Sequence, residues 1–219
     1  KPIVALIGDS HAWTLKSALK EVFEFNEASF IQYTKDGCPP SIDLIEAPLQ
    51  NCRKFMDSIL NEIQNSEVST VILFARWGFY VTDDQFDNQM GGVESRNNKY
   101  SVLGNSLDED ISVRSELVVN SFFKFIEKVH MMGKEIIIVG PVPEHGWSVP
   151  SRIAKHYLAK GEIYAEPLPL MIYDARFEKI YNLFDQIQHK TIHIVDTRSI
   201  FCGNNGTCPS FDSEGGSLY

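Results

Sequence analysis

The sequence has few of the features that mark membrane-spanning chains, secretory precursors or nucleic-acid-binding proteins. No apolar run approaches the roughly 20 residues that a membrane-spanning helix needs, and residues 1–13 hold no signal-peptide apolar region with a cleavage site. The 20 Lys and Arg residues are outnumbered by 29 Asp and Glu residues, which gives a net charge of −9. Nucleic acids and anionic lipids are bound by clustered positive charge, so we expect neither as a partner.

The sequence also lacks internal repeats and low-complexity tracts. Apolar residues make up 43% and aromatic residues 11% of the 219 positions, which is typical of a well-filled globular core. No stretch reads as a linker between two cores, so we expect a single domain over residues 1–219. Because the chain begins almost directly on its first strand, we expect this domain to belong to a longer protein whose targeting information lies upstream.

Cysteine is scarce, with four residues in the whole sequence. They fall into two local groups, Cys38 with Cys52 and Cys202 with Cys208, although four cysteines allow three pairings. Each local pair would close a loop rich in Pro, Gly or Asn beside a predicted strand end, so we favour two local disulfides and an oxidising compartment. Neither spacing is that of a zinc site and no histidine stands close to either pair, so we expect no metal and no other cofactor.

Apolar runs and amphipathic stretches alternate along the chain. The predicted strands lie at residues 3–7, 28–33, 68–75, 134–140 and 191–196. Helical patterns fall between and around them, at about residues 13–23, 49–63, 114–132, 151–160 and 168–188. This alternation predicts an α/β fold in which a mainly parallel sheet has helices on both faces. Residues 80–113 are polar and rich in Asp, Asn and Gly, and we expect them to form a mobile flap.

The first strand ends in the sequence Gly-Asp-Ser-His. The run from Ile3 to Ile7 is apolar and rich in β-branched residues, like strands buried on both faces, and apolar residues from Trp13 onward follow at helical spacing. Ser10 therefore lies where a strand ends and a helix begins, the edge at which open α/β sheets bind ligands. This position indicates a nucleophilic serine, although a serine there is equally suited to cap the helix. Asp9 is expected to brace the turn by accepting hydrogen bonds from neighbouring amides.

Short motifs in a fixed order resemble the SGNH (GDSL-like) hydrolase family. After G-D-S-H-A come D-G-C-P-P at Asp36–Pro40, L-F-A-R-W at Leu73–Trp77 and G-P-V-P-E at Gly140–Glu144. Together they resemble one branch of that family, the periplasmic SGNH domain fused to membrane acyltransferases of the acyltransferase-3 type, which O-acetylate bacterial surface sugars. The resemblance implies a three-layer α/β/α sandwich of flavodoxin-like type. It also implies an upstream membrane acyltransferase domain in the same chain and a periplasmic location as part of an inner-membrane protein.

The resemblance also implies roles for individual residues. Ser10 would attack an ester carbonyl, and the amides of Ser10 and Gly37 would bind the resulting oxyanion. Where the family at large has an asparagine after the third strand, this chain has Arg76 and Trp77. Arg76 would lie near the oxyanion or grip a sugar hydroxyl or carboxylate, and Trp77 would stack on a sugar ring, unless both residues are structural. The catalytic Asp-x-x-His of the family follows a tract like Gly215–Tyr219, so we expect it immediately after that tract.

Six histidines are present as alternative bases. His11 adjoins Ser10 but points elsewhere on the helix, so it is better suited to a substrate contact than to proton transfer. His145 lies in a loop at the same edge of the sheet and is the best internal alternative as a base or substrate-binding residue. The others fall in helices or strands away from that edge and are expected to be structural: His130, His156, His189 and His193.

These features predict an O-acyltransferase that moves an acetyl group through an acyl-serine to a sugar hydroxyl of a bacterial surface polysaccharide such as the lipopolysaccharide O-antigen. Two alternatives stay open. A carbohydrate O-acetylesterase would use the same chemistry with water as the acceptor, and exclusion of water by residues 80–113 would decide between the two. A non-catalytic carbohydrate-binding or positioning domain would keep the fold without turnover.

Overall fold

A computed structural model of the protein describes residues 2–47, 51–82, 85–95 and 99–218. The strands are β1 (Ile3–Gly8), β2 (Ser29–Thr34), β3 (Leu44–Ala47), β4 (Val68–Phe74), β5 (Gln85–Asp87), β6 (Val93–Ser95), β7 (Lys99–Val102), β8 (Glu135–Val139), β9 (Leu168–Pro169), β10 (Ile192–Val195) and β11 (Thr207–Cys208). The helices are α1 (Ser10–Thr14), α2 (Lys16–Phe25), α3 (Cys52–Gln64), α4 (Trp77–Val81), α5 (Ile111–Met131), α6 (Val149–Lys160), α7 (Leu170–Asp185) and α8 (Thr197–Phe201).

A five-stranded parallel sheet forms the centre of the fold, with the strand order β10-β8-β4-β1-β2. This sheet confirms the predicted α/β fold. The chain passes from β1 to β2 on one side and then crosses to β4, β8 and β10 on the other. Because the connections diverge between β1 and β4, the carboxyl ends of these two strands form the switch point at which open α/β sheets bind ligands.

The two faces of the sheet carry separate hydrophobic clusters, because successive residues of a strand point to opposite faces. On one face Ala5 and Ile7 of β1 belong to the larger cluster, which includes residues of α3, α5 and α7. On the other face Val4 and Leu6 pack with Ala12 of α1 and with the inner side of α2. Helices therefore enclose both faces, and the edge where the strands end is left for the site.

Most predicted helices lie within a few residues of their expected positions. The helix expected at about 13–23 is divided into α1 and α2, which meet at Leu15. Helix α5 begins earlier than predicted because Asp110 caps it, accepting a hydrogen bond from the Ser112 amide at 2.8 Å. The predicted start of α3 includes residues 49 and 50, which lie outside the described residues. Within the described ranges, no helix is both long and apolar enough to cross a bilayer.

The segment from residue 80 to residue 113 differs from the predicted flap. Its described residues include a hairpin of β5 and β6, followed by β7, which pairs antiparallel with β3. Phe86, Asn88 and Tyr100 are buried, and the Asn88 side chain donates to the His145 carbonyl oxygen at 2.6 Å. These parts of the segment are therefore packed against the rest of the domain and do not form one long loop.

Two disulfides, Cys38–Cys52 and Cys202–Cys208, confirm the predicted local pairing. The first joins the loop after β2 to the first residue of α3, and the second joins the end of α8 to β11. Among the residues that the structure describes, no group of three or more His, Cys, Asp or Glu side chains is arranged to hold a metal ion.

Candidate active site

The turn between β1 and α1 presents Ser10 at the switch point. Gly8 ends β1 so close to β4 that a Cβ atom on it would lie 1.7 Å from the carbonyl oxygen of Phe74, so a larger residue does not fit there without a backbone shift. Asp9 follows as the N-cap of α1, and Ser10 is the exposed first residue of that helix. The strand, turn and helix therefore place a serine hydroxyl at the open edge of the sheet.

Asp9 joins the carboxyl ends of β1 and β4. Its carboxylate is almost completely buried, and one oxygen accepts from the His11 amide at 2.8 Å. The other oxygen accepts from the Arg76 amide at 2.9 Å and from the Tyr80 hydroxyl at 2.5 Å. Burial and the nearby Asp9 carboxylate raise the pKa of Tyr80 well above its ordinary value, so this hydroxyl stays protonated and donates. Asp9 thus braces the turn, as the sequence predicts, and Tyr80 is a partner that no sequence motif marks.

The hydroxyl of Ser10 forms no hydrogen bond with a residue that the structure describes. The neighbouring His11 ring turns away and meets Phe74 edge-on, with 5.9 Å between the ring centroids. Burial lowers the pKa of His11, and the opposing attraction of Asp9 does not restore it. His11 is therefore a neutral hydrogen-bonding group beside Ser10 and is not placed as its base.

Three of the four histidines expected to be structural, His130, His189 and His193, make contacts away from this edge. His193 lies 3.2 Å from the carboxylate of Glu135, the first residue of β8 and therefore at the opposite edge of the sheet. His189 lies 3.1 Å from Glu127 on α5 and stacks on His130, with 4.2 Å between the rings. These contacts lie at the surface, and they do not bring these histidines to Ser10.

Gly37 lies in the loop after β2, the neighbour of β1 in the sheet. The loop is tied to that strand because the Lys35 amide donates to the Gly8 carbonyl oxygen at 3.1 Å. Gly37 has a φ of 68°, a left-handed conformation that favours glycine. The turn is closed by a bond from the Cys38 amide to the Lys35 carbonyl oxygen at 3.0 Å and by the disulfide of Cys38 to α3. The backbone at Gly37 is thus held in place beside the β1 turn.

Arg76 follows β4 and forms the centre of a partly buried ion-pair network. Its Nε donates to Glu144 at 2.8 Å, and its two terminal nitrogens both donate to Glu94 on β6. The second oxygen of Glu144 accepts from Nε of Arg176 on α7 at 2.9 Å. Burial opposes the charged form of Arg76, but hydrogen bonds and attraction from Glu94 and Glu144 raise its pKa above the ordinary value. The quartet of Arg76, Arg176, Glu94 and Glu144 carries no net charge.

The network leaves part of Arg76 available. A guanidinium has five N–H groups, and within the described chain three of them are used on Glu94 and Glu144. Two N–H groups therefore form no hydrogen bond with a described residue. Glu94 and Arg176 could not be found from the sequence, because neither falls in a motif and they are separated from Arg76 by other elements.

Trp77 is not a sugar-stacking residue, which corrects one of the two predictions for it. Its ring is 0% exposed, and its Nε1 donates to the Val139 carbonyl oxygen at 2.8 Å. The ring packs edge-on against Phe122, with 5.4 Å between centroids. Helix α4 begins at this residue, and the first turn directs the indole into the core while Arg76 stays at the edge.

His145 forms part of the wall beside the site and is almost completely buried. Its Nδ1 lies 3.3 Å from the Ser210 hydroxyl oxygen, and that hydroxyl donates to the Glu166 carbonyl oxygen at 2.7 Å. Because the Ser210 proton is used on Glu166, Nδ1 of His145 must carry the proton in their hydrogen bond. Burial lowers the pKa of His145 to about 4, so the ring is neutral at pH 7.

A cavity of about 930 Å³ adjoins the turn that carries Ser10. Its inner wall is largely apolar and includes Phe74 and Val142, while His11 and Arg76 form a polar margin. Residues from α1, the β6 strand, the loop after β8 and α8 all contribute, and Leu218 lines the cavity as well. The structure therefore brings together His11, Arg76 and His145 of the predicted set, and removes Trp77 from it.

The whole sequence, residues 1–219, matches the family described as SGNH domain (fused to AT3 domains). No curated protein is similar enough in sequence to count as a match. Among solved structures, the fold is similar to the periplasmic domain of the lipopolysaccharide acetyltransferase of Salmonella ser. Paratyphi A. The TM-score is 0.58 at 17% identity, and the alignment covers 98% of this chain and 73% of the other. The chain belongs to the SGNH domain family whose members are fused to AT3 domains.

Proposed function

We propose that this SGNH domain transfers an O-acetyl group to a sugar hydroxyl of a bacterial surface polysaccharide, such as the O-antigen, through an acyl-Ser10 intermediate. The observation that carries the proposal is the exposed Ser10 hydroxyl at the switch point of an SGNH fold. The fusion of this family to AT3 domains and the acetyltransferase with a similar fold support acetyl transfer. The domain would work in the periplasm as part of an inner-membrane protein, and an upstream membrane acyltransferase domain of the same chain would supply the acetyl group.

The reaction has two steps with Ser10 as the relay. In the first, Ser10 Oγ bonds to the acetyl carbon of the donor, the bond to the leaving group breaks, and the serine proton passes through a base to the leaving group. In the second, the sugar hydroxyl attacks the acetyl-serine, the bond to Oγ breaks, and the sugar proton returns through the base to Oγ. We assign the amides of Ser10 and Gly37 to the oxyanion of both steps, where one donor contributes about 2.7–4 kcal/mol.

We assign the base and its orienting acid to an Asp-x-x-His segment after Tyr219. Leu218 lines the same cavity as His11 and Arg76, so residues that follow it in sequence would lie close to Ser10. His145 is a poor candidate for the same role, because burial lowers its pKa to about 4 and makes it a weak base at pH 7. We place His145 in the wall of the substrate cavity instead.

Arg76 and His11 are the residues that we assign to substrate binding. Both line the cavity beside Ser10, and Arg76 keeps two N–H groups for a hydroxyl or carbonyl oxygen. A guanidinium whose plane is fixed by two carboxylates donates along defined directions, which suits the positioning of an acyl or sugar group.

One observation favours a second candidate, a carbohydrate-binding domain without turnover. Ser10 has no hydrogen bond to a described base, and an inactive domain would not need one. An O-acetylesterase differs from the transferase only in using water as the acceptor. The β5–β6 hairpin is where the two would differ: Glu94 ties it to Arg76 beside the cavity, and exclusion of water there would favour transfer over hydrolysis.

A serine-directed fluorophosphonate tests the acyl-serine. The protein, including the residues that follow Tyr219, is purified without reductant, and its intact mass is measured before and after labelling. We expect one adduct, which is lost in Ser10→Ala and retained in Ser17→Ala, a matched change at an exposed serine on α2. An unlabelled protein that nevertheless binds acceptor sugar would establish the binding domain and contradict the transferase. Labelling that persists in Ser10→Ala would assign the nucleophile to another residue.

A further inference from the structure

Helix α1 separates two depressions at the edge of the sheet. His11, Thr14 and Leu15 line the large cavity on one side. On the other side, Trp13 borders an open depression of about 570 Å³ with Gln32, Thr34 and Asp36. Ser10 precedes Trp13 by three residues, and residues at that spacing are neighbours on the same face of a helix, with Cβ atoms about 5–6 Å apart.

The Trp13 side chain is largely exposed to solvent in the described chain. The side chain is 60% exposed, and it makes no ring contact with another described aromatic residue. A tryptophan buries more apolar surface than almost any other side chain when it is packed. Here that surface is turned to solvent three residues after the proposed nucleophile, so the ring leaves room for a ligand to stack on it.

The remaining lining of the depression supplies hydrogen-bonding groups. Gln32 Nε2 donates to the Thr34 hydroxyl oxygen at 2.5 Å, which fixes both side chains and leaves the Gln32 carbonyl oxygen and the Thr34 hydroxyl proton for a ligand. Asp36 is exposed in the loop after β2, directly before Gly37. An apolar ring face beside an amide, a hydroxyl and a carboxylate matches a pyranose, which has an apolar face of C–H groups and a rim of hydroxyls.

We propose that this depression is the subsite for the acceptor sugar. A neutral pyranose ring stacks on Trp13, and its hydroxyls bond to Gln32, Thr34 and Asp36. The role of this subsite rests on the proposed function, because a sugar bound there would present one hydroxyl to the carbonyl carbon of acyl-Ser10. The new C–O bond forms, the bond to Ser10 Oγ then breaks, and the sugar proton passes through the base to Oγ. The stacking role predicted for Trp77 thus falls to Trp13.

The three tryptophans of the chain make the proposal directly testable. Each gives one indole N–H signal in a ¹⁵N-labelled sample, and substitution of Trp13 by Phe assigns its signal. Methyl glycosides of glucose, galactose, rhamnose and N-acetylglucosamine are titrated against the protein, with sorbitol as the acyclic control. We expect at least one glycoside to shift the Trp13 signal saturably while the signal of buried Trp77 stays fixed. Shifts confined to Trp147, which lines the large cavity, equal shifts with sorbitol, or no shift would overturn the proposal.

Substitutions then separate stacking from folding. Trp13→Ala should weaken binding of the responsive glycoside about tenfold, the upper range of a single aromatic contact, whereas Trp13→Phe should restore most of it. Phe25→Ala, at an 88% exposed residue on α2, should leave binding unchanged. Ser10→Ala should also leave it unchanged, so a failure of the acyl-serine and a failure of this subsite give different results. Equal binding by Trp13→Ala and the unsubstituted protein would refute the stacking role.

Discussion

Protonation of His145 should destabilise the domain in mild acid. The ring is 4% exposed, and burial lowers its pKa to about 4, compared with about 6.5 in an unfolded chain. The unfolded state therefore takes up the proton first, so the stability contributed by neutral His145 is complete above pH 6.5 and is lost as the pH falls toward 4. A difference of roughly 2.5 pKa units corresponds to about 3 kcal/mol at the acid limit.

Urea unfolding at pH 7 and pH 4.5 measures this loss. Between those values His145 should cost the protein about 2 kcal/mol, and His145→Asn should remove that part of the pH dependence. Asparagine is a suitable replacement because its amide can still donate to the Ser210 hydroxyl oxygen. Burial also lowers the pKa of His11, so His11 contributes to the pH dependence in the same direction. The free energy of unfolding of the variant should therefore still fall somewhat as the pH is lowered. Parallel loss of stability in the two proteins would show that His145 is not buried as a neutral ring.

Two further substitutions test the frame around Ser10. Gly8→Ala should destabilise the domain by about 3 kcal/mol or more, because the new Cβ would lie 1.7 Å from a β4 carbonyl oxygen. The control is Gly104→Ala, whose new Cβ would have nothing within 4 Å and which should cost only about 1 kcal/mol. Urea midpoints compare the two, and equal losses would contradict the close packing of β1 on β4. Arg176→Met should cost about 3–5 kcal/mol, because it removes one of the two cationic partners of buried Glu144. The double variant Arg176→Met with Glu144→Leu should recover much of that loss, and no recovery would argue against the ion pair as its cause.

Strand β1 and the second half of β4 were predictable because they are buried on both faces. Strands in such surroundings are apolar, so Ile3–Ile7 and Val71–Phe74 stand out in the sequence as apolar runs. The shorter elements of residues 80–113 were not predictable in the same way. Strands of three or four residues, β5 to β7, carry too few positions to show a period of two, and their polar composition resembles that of a loop.

The site residues also differ in how well the sequence predicts them. Ser10, Asp9 and Gly37 occupy turns directly after strands, and the backbone geometry of such turns restricts which residues fit, so their positions can be read from the sequence. Successive side chains of a helix point in directions about 100° apart, so neighbouring residues at a helix start can point to different surroundings. Arg76 and Trp77 are neighbours at the same edge, yet one lines the cavity and the other is in the core. The end of β4 does not determine which of the two side chains points into the core, because that depends on how α4 packs against the rest of the domain.

The charges near Ser10 also bear on which substrate the proposed reaction would accept. Arg76 lines the cavity beside Ser10, and from the sequence it could grip either a sugar hydroxyl or a carboxylate. In the structure its charge is already compensated by Glu94 and Glu144, and Asp9 adds a buried carboxylate on the backbone side. An anionic sugar brought to this edge would meet carboxylates without an uncompensated cation among these residues. The Arg76 N–H groups that bond to no described residue can still donate to neutral oxygen atoms, so we expect the large cavity to favour a neutral acetyl ester over an anionic group.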